Sequence, residues 1–359
     1  MTDDVTVTVA GVALSGWTDV RITRRIDGCP NDFDVGLTER YPGEAAAFLV
    51  HPGETCTVAI GADVCITGYI DRFVRSYDRN AHNLTITGRG KTQDLVDCSA
   101  VWPGGQIVGT NAQDVASKLA GVYGITVTTL GDNLGPSIPQ LNLVHGETSW
   151  DIIERTCRYA GLLAYEATDG NLVLANSQDI PASSGFTEGV NVQRARVTSS
   201  MDQRFSQVDT YLMSMDTLDD TGQGGNLKAT ATDPNVPRFR KLDVIAEAGG
   251  GGLDVAIKRG LWEVARRFGR SFVVQVTCDT WRDSAGVLWT PNTVAPVALP
   301  ALKFVESTLL IGQVEYRRNG AEGTTTTVTL MPPEAFQPQP ILLQPTRPDA
   351  PASTPKVGG

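Results

Sequence analysis

Residues 68–100, GYIDRFVRSYDRNAHNLTITGRGKTQDLVDCSA, carry the pattern from which the fold is inferred. Its apolar residues alternate with polar ones on both sides of a polar cluster at residues 78–80. Such alternation, interrupted by polar residues, predicts two antiparallel strands and the turn that joins them. Gly88-Arg89-Gly90 ends the second predicted strand, and a more compact segment begins at Asp94.

The residues before this hairpin also favour short strands. Alternating or apolar runs occur at Val5–Val9, Trp17–Ile26, Asp32–Thr38, 55–60 and Asp63–Tyr69, with Gly, Pro and Asp between them. Many short strands at close spacing are typical of a barrel or a sandwich. We therefore predict a first β-barrel domain at residues 1–104. Residues of about 190–245 return to strand-like alternation, and we expect them to complete this domain.

Residues 105–178 have a different pattern, which predicts a small α+β domain with a LysM-like order of elements. A helix is expected from Asn111 to about Ala120, with Thr110 as its cap. Thr148 and Asp151 have the spacing of a capping box for a second helix, which Gly161 should end. The Asp-Gly pair at 169–170 then predicts the turn of a β-hairpin.

Residues 246–336 begin with the clearest helix of the chain and continue as strands, so they predict a second β-barrel domain. This helix, Leu253–Phe268, has an apolar side and a basic side. The apolar stripe is Leu253, Ile257, Leu261, Val264 and Phe268, and the basic side has Lys258, Arg259, Arg266 and Arg267. The predicted fold class is α+β, mainly β: two related β-barrel domains with an inserted small α+β domain.

Two groups of residues are candidates for binding a partner. Residues 337–359 form a proline-rich tail that favours extended chain, and its apolar island is Ile341, Leu342 and Leu343. The tail is either a docking segment or a disordered end with an incidental apolar triplet. The basic residues Lys258, Arg259, Arg266 and Arg267 form either a solvated face paired with local acids or a contact to an acidic neighbouring subunit.

The composition limits the classes of function. The net charge of −10 over 359 residues argues against a general nucleic-acid binder, which needs a basic surface. No run of about 18 apolar residues occurs, so no membrane insertion is predicted. The acidic, alternating N-terminus is unlike a signal or transit peptide. The six cysteines lack a C-x-x-C pair and are expected to be free thiols in a reducing compartment.

The sequence predicts a protein that is not an enzyme and has no cofactor or metal. Residues 88–92, GRGKT, look like half of a phosphate loop, but Thr85 stands where that loop needs a glycine. A dinucleotide-binding turn needs a third glycine, and Gln93 occupies its place. The sequence contains neither a zinc-protease helix motif nor a G-x-S-x-G nucleophile elbow.

Four stretches together carry a family resemblance. They are GYID…GRGKTQDLVDCSA at 68–100, GETSWDIIERTCRYAGLLAYEATDGNLVLAN at 146–176, LDVAIKRGLWEVARRFGRS at 253–271 and TTTTVTLMPPEAF at 324–336. In this order and spacing, the chain up to Phe336 resembles the baseplate hub proteins of Mu-like contractile-tailed bacteriophages. That family is similar to the hub part of type VI secretion spike proteins.

The resemblance implies a structural protein of the virion tail baseplate, present in the host cytoplasm during assembly, with tail-tube-like barrels. It implies a homotrimeric ring that adapts a sixfold tail tube to a threefold central spike and lets DNA pass on ejection. The implied partners are the central spike and tail tube proteins, with tape measure and baseplate wedge proteins as further candidates. The alternatives are a cell-wall glycan-binding or peptidoglycan-degrading tail protein, or the hub of a tailocin or secretion particle.

Overall fold

The computed structural model describes residues 3–38, 50–79, 82–131, 134–177, 180–213, 226–246 and 253–341. The helices in these ranges are α1 (Gln93–Asp97), α2 (Ala112–Gly121), α3 (Ser149–Ala160) and α4 (Leu253–Arg270). The strands are β1 (Val5–Val9), β2 (Val12–Leu14), β3 (Asp19–Arg25), β4 (Asp32–Thr38), β5 (Thr55–Ile60), β6 (Asp63–Tyr77), β7 (His82–Gly90), β8 (Gln106–Thr110), β9 (Val127–Leu130), β10 (Ile138–Asn142), β11 (Leu163–Glu166), β12 (Leu172–Ala175), β13 (Phe186–Thr187), β14 (Val192–Ser199), β15 (Gln207–Met213), β16 (Asn226–Thr232), β17 (Lys241–Ala246), β18 (Phe272–Cys278), β19 (Val294–Leu299), β20 (Phe304–Asn319) and β21 (Gly323–Met331).

The early and late β blocks of the chain share one large sheet. Its main path runs β14-β18-β21-β20-β3-β4-β7-β6-β5-β1-β2, and β19 and β13 extend it from β20. Antiparallel pairing of β3 with β20 joins the two blocks, from Arg25 opposite Gln313 to Val20 opposite Arg318. The predicted fold class, mainly β with two β blocks and a separate small α+β unit, is confirmed.

Residues 190–245 do not complete the first β block, so this expectation needs correction. β14 pairs with β18 of the second block. β15, β16 and β17 form a separate three-stranded sheet with β15 in the centre. The buried face of this small sheet includes Val208 and Ala231, and α4 packs on β15 and β16. Because the helix covers that face, these strands bury their apolar side chains without joining the first block.

One hydrophobic core serves both β blocks. It contains Trp17 and Phe33 from the first block and Trp281, Trp289 and Tyr316 from the second. The buried indole N–H of Trp281 donates to the carbonyl oxygens of residues 317 and 325 at 3.1 and 3.0 Å. These bonds offset the cost of removing the N–H from water, so the large ring can lie inside the core.

The small α+β unit has its own core between α2, α3 and the strands β9, β11 and β12. The capping box is confirmed, because Thr148 Oγ1 accepts from the N–H of Asp151 and the Asp151 carboxylate accepts from the N–H of Thr148. Gly161 ends α3 in the left-handed conformation, with φ of 73°. The predicted cap of α2 is wrong: Asn111 caps this helix, because Thr110 is still the last residue of β8.

Helix α4 packs through small residues and leaves its large apolar stripe partly in solvent. A Cβ added at Gly260 would lie 3.1 Å from Thr210 Oγ1 and 3.3 Å from the Cβ of Ala231. Ala256, on the same face, is fully buried. Leu261, by contrast, is 57% exposed. Small side chains allow the helix backbone to approach the sheet closely, and this contact decides which face is buried.

Candidate interaction groove along helix α4

The C-terminal half of α4 forms one wall of a groove of about 550 Å³. The loop at 200–203 and Gln339 of the C-terminal segment form other parts of its lining. Four arginines of α4 line the groove, and they are Arg259, Arg266, Arg267 and Arg270. The carboxylates among its lining residues are Glu263 and Asp202. The groove is therefore basic, although the chain as a whole has a net charge of −10.

Glu263 forms ion pairs with two of the four arginines. Its side chain is buried, and its Oε1 lies 2.7 Å from Arg259 Nη2 while its Oε2 lies 2.9 Å from Arg267 Nε. Each carboxylate oxygen thus accepts from one guanidinium, and both contacts span one helical turn. Removal of this carboxylate would leave two partly buried positive charges close together, which is strongly unfavourable. Glu263 is therefore the structural centre of the basic face.

Trp262 lies between two guanidinium groups on the helix surface. The guanidinium carbons of Arg259 and Arg266 are 4.9 and 5.1 Å from the centroid of its ring. Its indole N–H donates to the carbonyl oxygen of Gln337 at 2.8 Å. The ring therefore orients Arg266 and also holds the first residue of the C-terminal segment against α4.

Arg266 and Arg270 lie one turn apart, and neither forms an ion pair within the described ranges. Within the described part of the chain, Arg270 Nε donates a long bond of 3.4 Å to the carbonyl oxygen of Ala335. Burial lowers the pKa of Arg266, and the positive charge of Arg270 lowers that pKa further. The negative charges of Asp27, Glu263 and Glu154 act on this pKa in the opposite direction, and Asp27 and Glu154 do so from the adjoining cleft. These two arginines are therefore the cations of the groove that an incoming anion would meet.

The structure brings three of the seven predicted partner-binding residues together in the groove: Arg259, Arg266 and Arg267. Lys258 is exposed on α4, whereas Arg259 and Arg267 are held by Glu263. Ile341 is half-buried and packs against the core of the α+β unit of its own chain. Leu342 and Leu343 lie outside the described residues. Binding of a partner by these side chains stays a prediction.

Arg270 was not among the predicted binding residues, although one signal for it is present in the sequence. Arg270 follows Arg266 by four residues, so a helix that extends two residues beyond Phe268 places both on one face. The predicted helix ended at Phe268, before this pair was complete. Helix ends are the least certain feature of a sequence-based prediction, because the last turn has few local signals.

The glycines of the GRGKT segment have a packing role. Gly88 and Gly90 belong to β7, and Arg89 between them pairs with Asp71 at 2.6 Å. A Cβ at Gly90 would lie 1.9 Å from a carboxylate oxygen of Glu166. The close approach of other atoms therefore requires glycine here, and the segment continues a strand instead of wrapping a phosphate. In the described part of the chain, no group of three or more His, Cys, Asp or Glu residues could hold a metal ion.

No helix among the described residues is long and apolar enough to cross a membrane.

Comparison with known proteins gives matches along most of the chain. Residues 4–90 match the N-terminal domain of Mu phage baseplate assembly protein GpP-like proteins, residues 92–176 match the second domain of gp44-like baseplate hub proteins, and residues 253–339 match the fourth domain of GpP. The baseplate hub protein gp44 of Escherichia phage Mu is 31% identical over 343 residues, which cover 94% of this chain and 89% of the phage protein. The chain belongs to the family of Mu-type baseplate hub proteins. As a Mu-type hub, it is a structural component of a phage tail baseplate.

Solved structures support this assignment of the Mu-type hub. The 43 kDa tail protein of prophage MuSo2 from Shewanella oneidensis superposes with a TM-score of 0.84 at 30% identity, over 93% of this chain and 99% of that one. The E. coli c3393 protein superposes with a TM-score of 0.58 at 11% identity, over 94% and 80% of the two chains. It is described as a type VI secretion component similar to the phage T4 tail proteins gp27 and gp5. At this low identity, the second match concerns the fold alone.

Proposed function

We propose that this hub protein forms a homotrimeric ring that adapts a sixfold tail tube to a threefold central spike. Each subunit contributes two β blocks side by side in one sheet, so three subunits would present six blocks to the tube. The observation that carries the proposal is the direct pairing of β3 with β20, which fixes the two blocks next to each other. The central spike and the tail tube protein are the direct partners in this arrangement.

The ends of the sheet offer a route to ring closure. β2 and β14 are the terminal strands of the main path. Within the described ranges β1 is the only strand that pairs with β2, and β18 is the only strand that pairs with β14, apart from a single bridge between Val192 and Glu188. Strands at the end of a sheet have unpaired N–H and C=O groups, which a neighbouring subunit can satisfy. Contact between such edge strands of adjacent subunits would close the ring, and no subunit would have to change its fold.

The role is structural, and DNA passes through the ring during ejection without sequence-specific contact. The net charge of −10 supports passage, because a chain with a net negative charge repels phosphate groups at long range. The matched relatives are baseplate and tail proteins, which supports a role without catalysis. Assembly would take place in the host cytoplasm before the hub enters the virion.

Mass measurement and imaging test the proposal together. Light scattering after size-exclusion chromatography should give three times the 38.3 kDa mass of one chain, and negative-stain images should show a ring with a central hole. A monomer at micromolar concentration that stays monomeric after addition of spike protein would contradict the ring. Clearing of a peptidoglycan suspension by the purified chain would contradict the non-enzymatic role.

A further inference from the structure

We propose that Arg266 and Arg270 bind an acidic, extended segment of another baseplate protein, with carboxylates on alternate residues. This inference rests on the proposed hub function in one respect only: a hub must contact other baseplate proteins. The two arginines and the other described lining residues of the groove are present in the single chain. Binding to it can therefore be measured whether or not the ring forms.

The charges of the groove leave these two arginines available. Glu263 uses both of its oxygens on Arg259 and Arg267, at 2.7 and 2.9 Å. Asp202, the other carboxylate of the lining, is exposed and lies on the loop opposite the helix. Arg266 and Arg270 thus keep guanidinium N–H groups free of any carboxylate partner among the described residues. A carboxylate that enters the groove can form charge-assisted hydrogen bonds with both.

The spacing of the two arginines selects the geometry of the ligand. Residues four apart on a helix have Cβ atoms about 6 Å apart. In an extended chain, side chains two residues apart point the same way and are separated by about 7 Å. An extended segment with the pattern acid-any-acid therefore matches the pair. Each guanidinium can hold its carboxylate through two parallel hydrogen bonds, a geometry that lysine does not offer.

The C-terminal segment of the chain runs along the edge of the groove, and Gln339 is part of its lining. The carbonyl oxygen of Gln337 accepts from the indole N–H of Trp262, and the backbone at Gln337 is extended. The side-chain amide of Gln339 lies against the Arg259 guanidinium. A second extended strand of peptide beside this segment would place its acidic side chains over Arg266 and Arg270. A groove of about 550 Å³ accommodates a few side chains and is far too small for a duplex.

Peptide binding to the intact chain tests the proposal. The probe is a fluorescent octapeptide of alternating serine and glutamate, and the same peptide with glutamine in place of glutamate is the neutral control. We expect salt-sensitive binding of the acidic probe and none of the neutral one. The Arg266→Gln/Arg270→Gln variant should bind the acidic probe at least about tenfold more weakly. The Arg266→Lys/Arg270→Lys variant keeps the charge and should bind with intermediate strength.

The control variant is Arg72→Gln/Arg75→Gln, which removes the same charge from exposed positions of β6 outside the groove. It should bind the acidic probe as the native chain does. Equal binding by the Arg266→Gln/Arg270→Gln variant would overturn the proposal, as would equal loss in the β6 variant. A duplex oligonucleotide that displaces the peptide and binds more tightly would also overturn it in favour of a nucleic-acid ligand. A trimeric ring that fails to bind the acidic probe would reject this inference and leave the proposed function intact.

Discussion

The carboxylate of Glu166, at the end of β11, accepts a hydrogen bond of 2.8 Å from the backbone N–H of Asn31, 135 residues earlier in the chain. Its other oxygen accepts from the N–H of Thr92 at 3.0 Å, and the side chain is only 2% exposed. The side-chain amide of Asn31 in turn donates to the backbone carbonyl of Glu166 at 3.3 Å. This reciprocal contact fastens the α+β unit to the first β block, because it satisfies backbone donors that would otherwise be buried without partners.

The pH dependence of stability should report this contact. Burial raises the pKa of Glu166 from 4.5 to about 7, although the N–H groups of Thr92 and Asn31 act in the opposite direction. At a pH between these two pKa values, the Glu166 side chain is protonated in the folded chain and ionised in the unfolded chain. The free energy of unfolding therefore falls as pH rises through this window, by up to about 3 kcal/mol from this group. Urea unfolding across this pH window should show a clearly smaller fall in the free energy of unfolding for the Glu166→Gln variant than for the native chain. An identical fall in the two chains would refute the assignment.

The Gly90→Ala substitution should destabilise the chain by about 1–3 kcal/mol. The new methyl group would lie 1.9 Å from a Glu166 carboxylate oxygen, so the carboxylate must leave the N–H groups that hold it. Gly121→Ala is the matched control, because Gly121 lies in α2 and has nothing within 4 Å of the added Cβ. This control should be neutral or slightly stabilising. Thermal unfolding of both variants measures the difference, and equal melting temperatures would contradict the packing argument.

The Glu263→Gln substitution should cost roughly 3 kcal/mol of stability, because Arg259 and Arg267 would lose the carboxylate with which both form ion pairs. Glu322→Gln provides the comparison. Glu322 pairs with Arg194 at 2.9 Å, but both side chains are more than a third exposed. Loss of such an exposed pair should change stability by less than about 1 kcal/mol. Denaturant unfolding should show a clearly larger loss of stability for Glu263→Gln than for Glu322→Gln. Similar losses in the two variants would show that the ion pairs of Glu263 are not worth more than an exposed pair.

The first residues of the C-terminal segment should contribute to stability, whereas the remainder should not. Truncation after Ile341 keeps the contact of Ile341 with the core of the α+β unit and should leave the melting temperature unchanged. Truncation after Gln337 removes Ile341 and the contact of Gln339 with Arg259. It should lower the free energy of unfolding by about 1–2 kcal/mol, as should Ile341→Ser alone to a smaller extent. Equal melting of the two truncated chains would show that residues 338–341 add nothing.

Much of the local structure was determined by the sequence, because its signals lie within a few residues of each other. The alternation at Val5–Val9 and Asp32–Thr38 predicts β1 and β4 with their observed bounds. The Thr148–Asp151 capping box and Gly161 define both ends of α3. The order of four longer stretches was enough to indicate the baseplate hub family, which the relative from phage Mu confirms.

Only the tertiary structure decided which elements meet and which faces they bury. Side-chain alternation shows that a strand has two faces, but it does not say that β3 pairs with β20 nearly the whole chain away. The apolar stripe of α4 had the period of a buried face, yet Ala256 and Gly260 make the closer contact with the sheet. The burial of Glu166 likewise depends on distant donors, because a buried carboxylate needs hydrogen-bond partners and these are the backbone N–H groups of Asn31 and Thr92. The partners of Glu263, by contrast, lie one turn away on the same helix. The linear sequence does not show that Asn31 and Thr92 lie beside Glu166 in the folded chain.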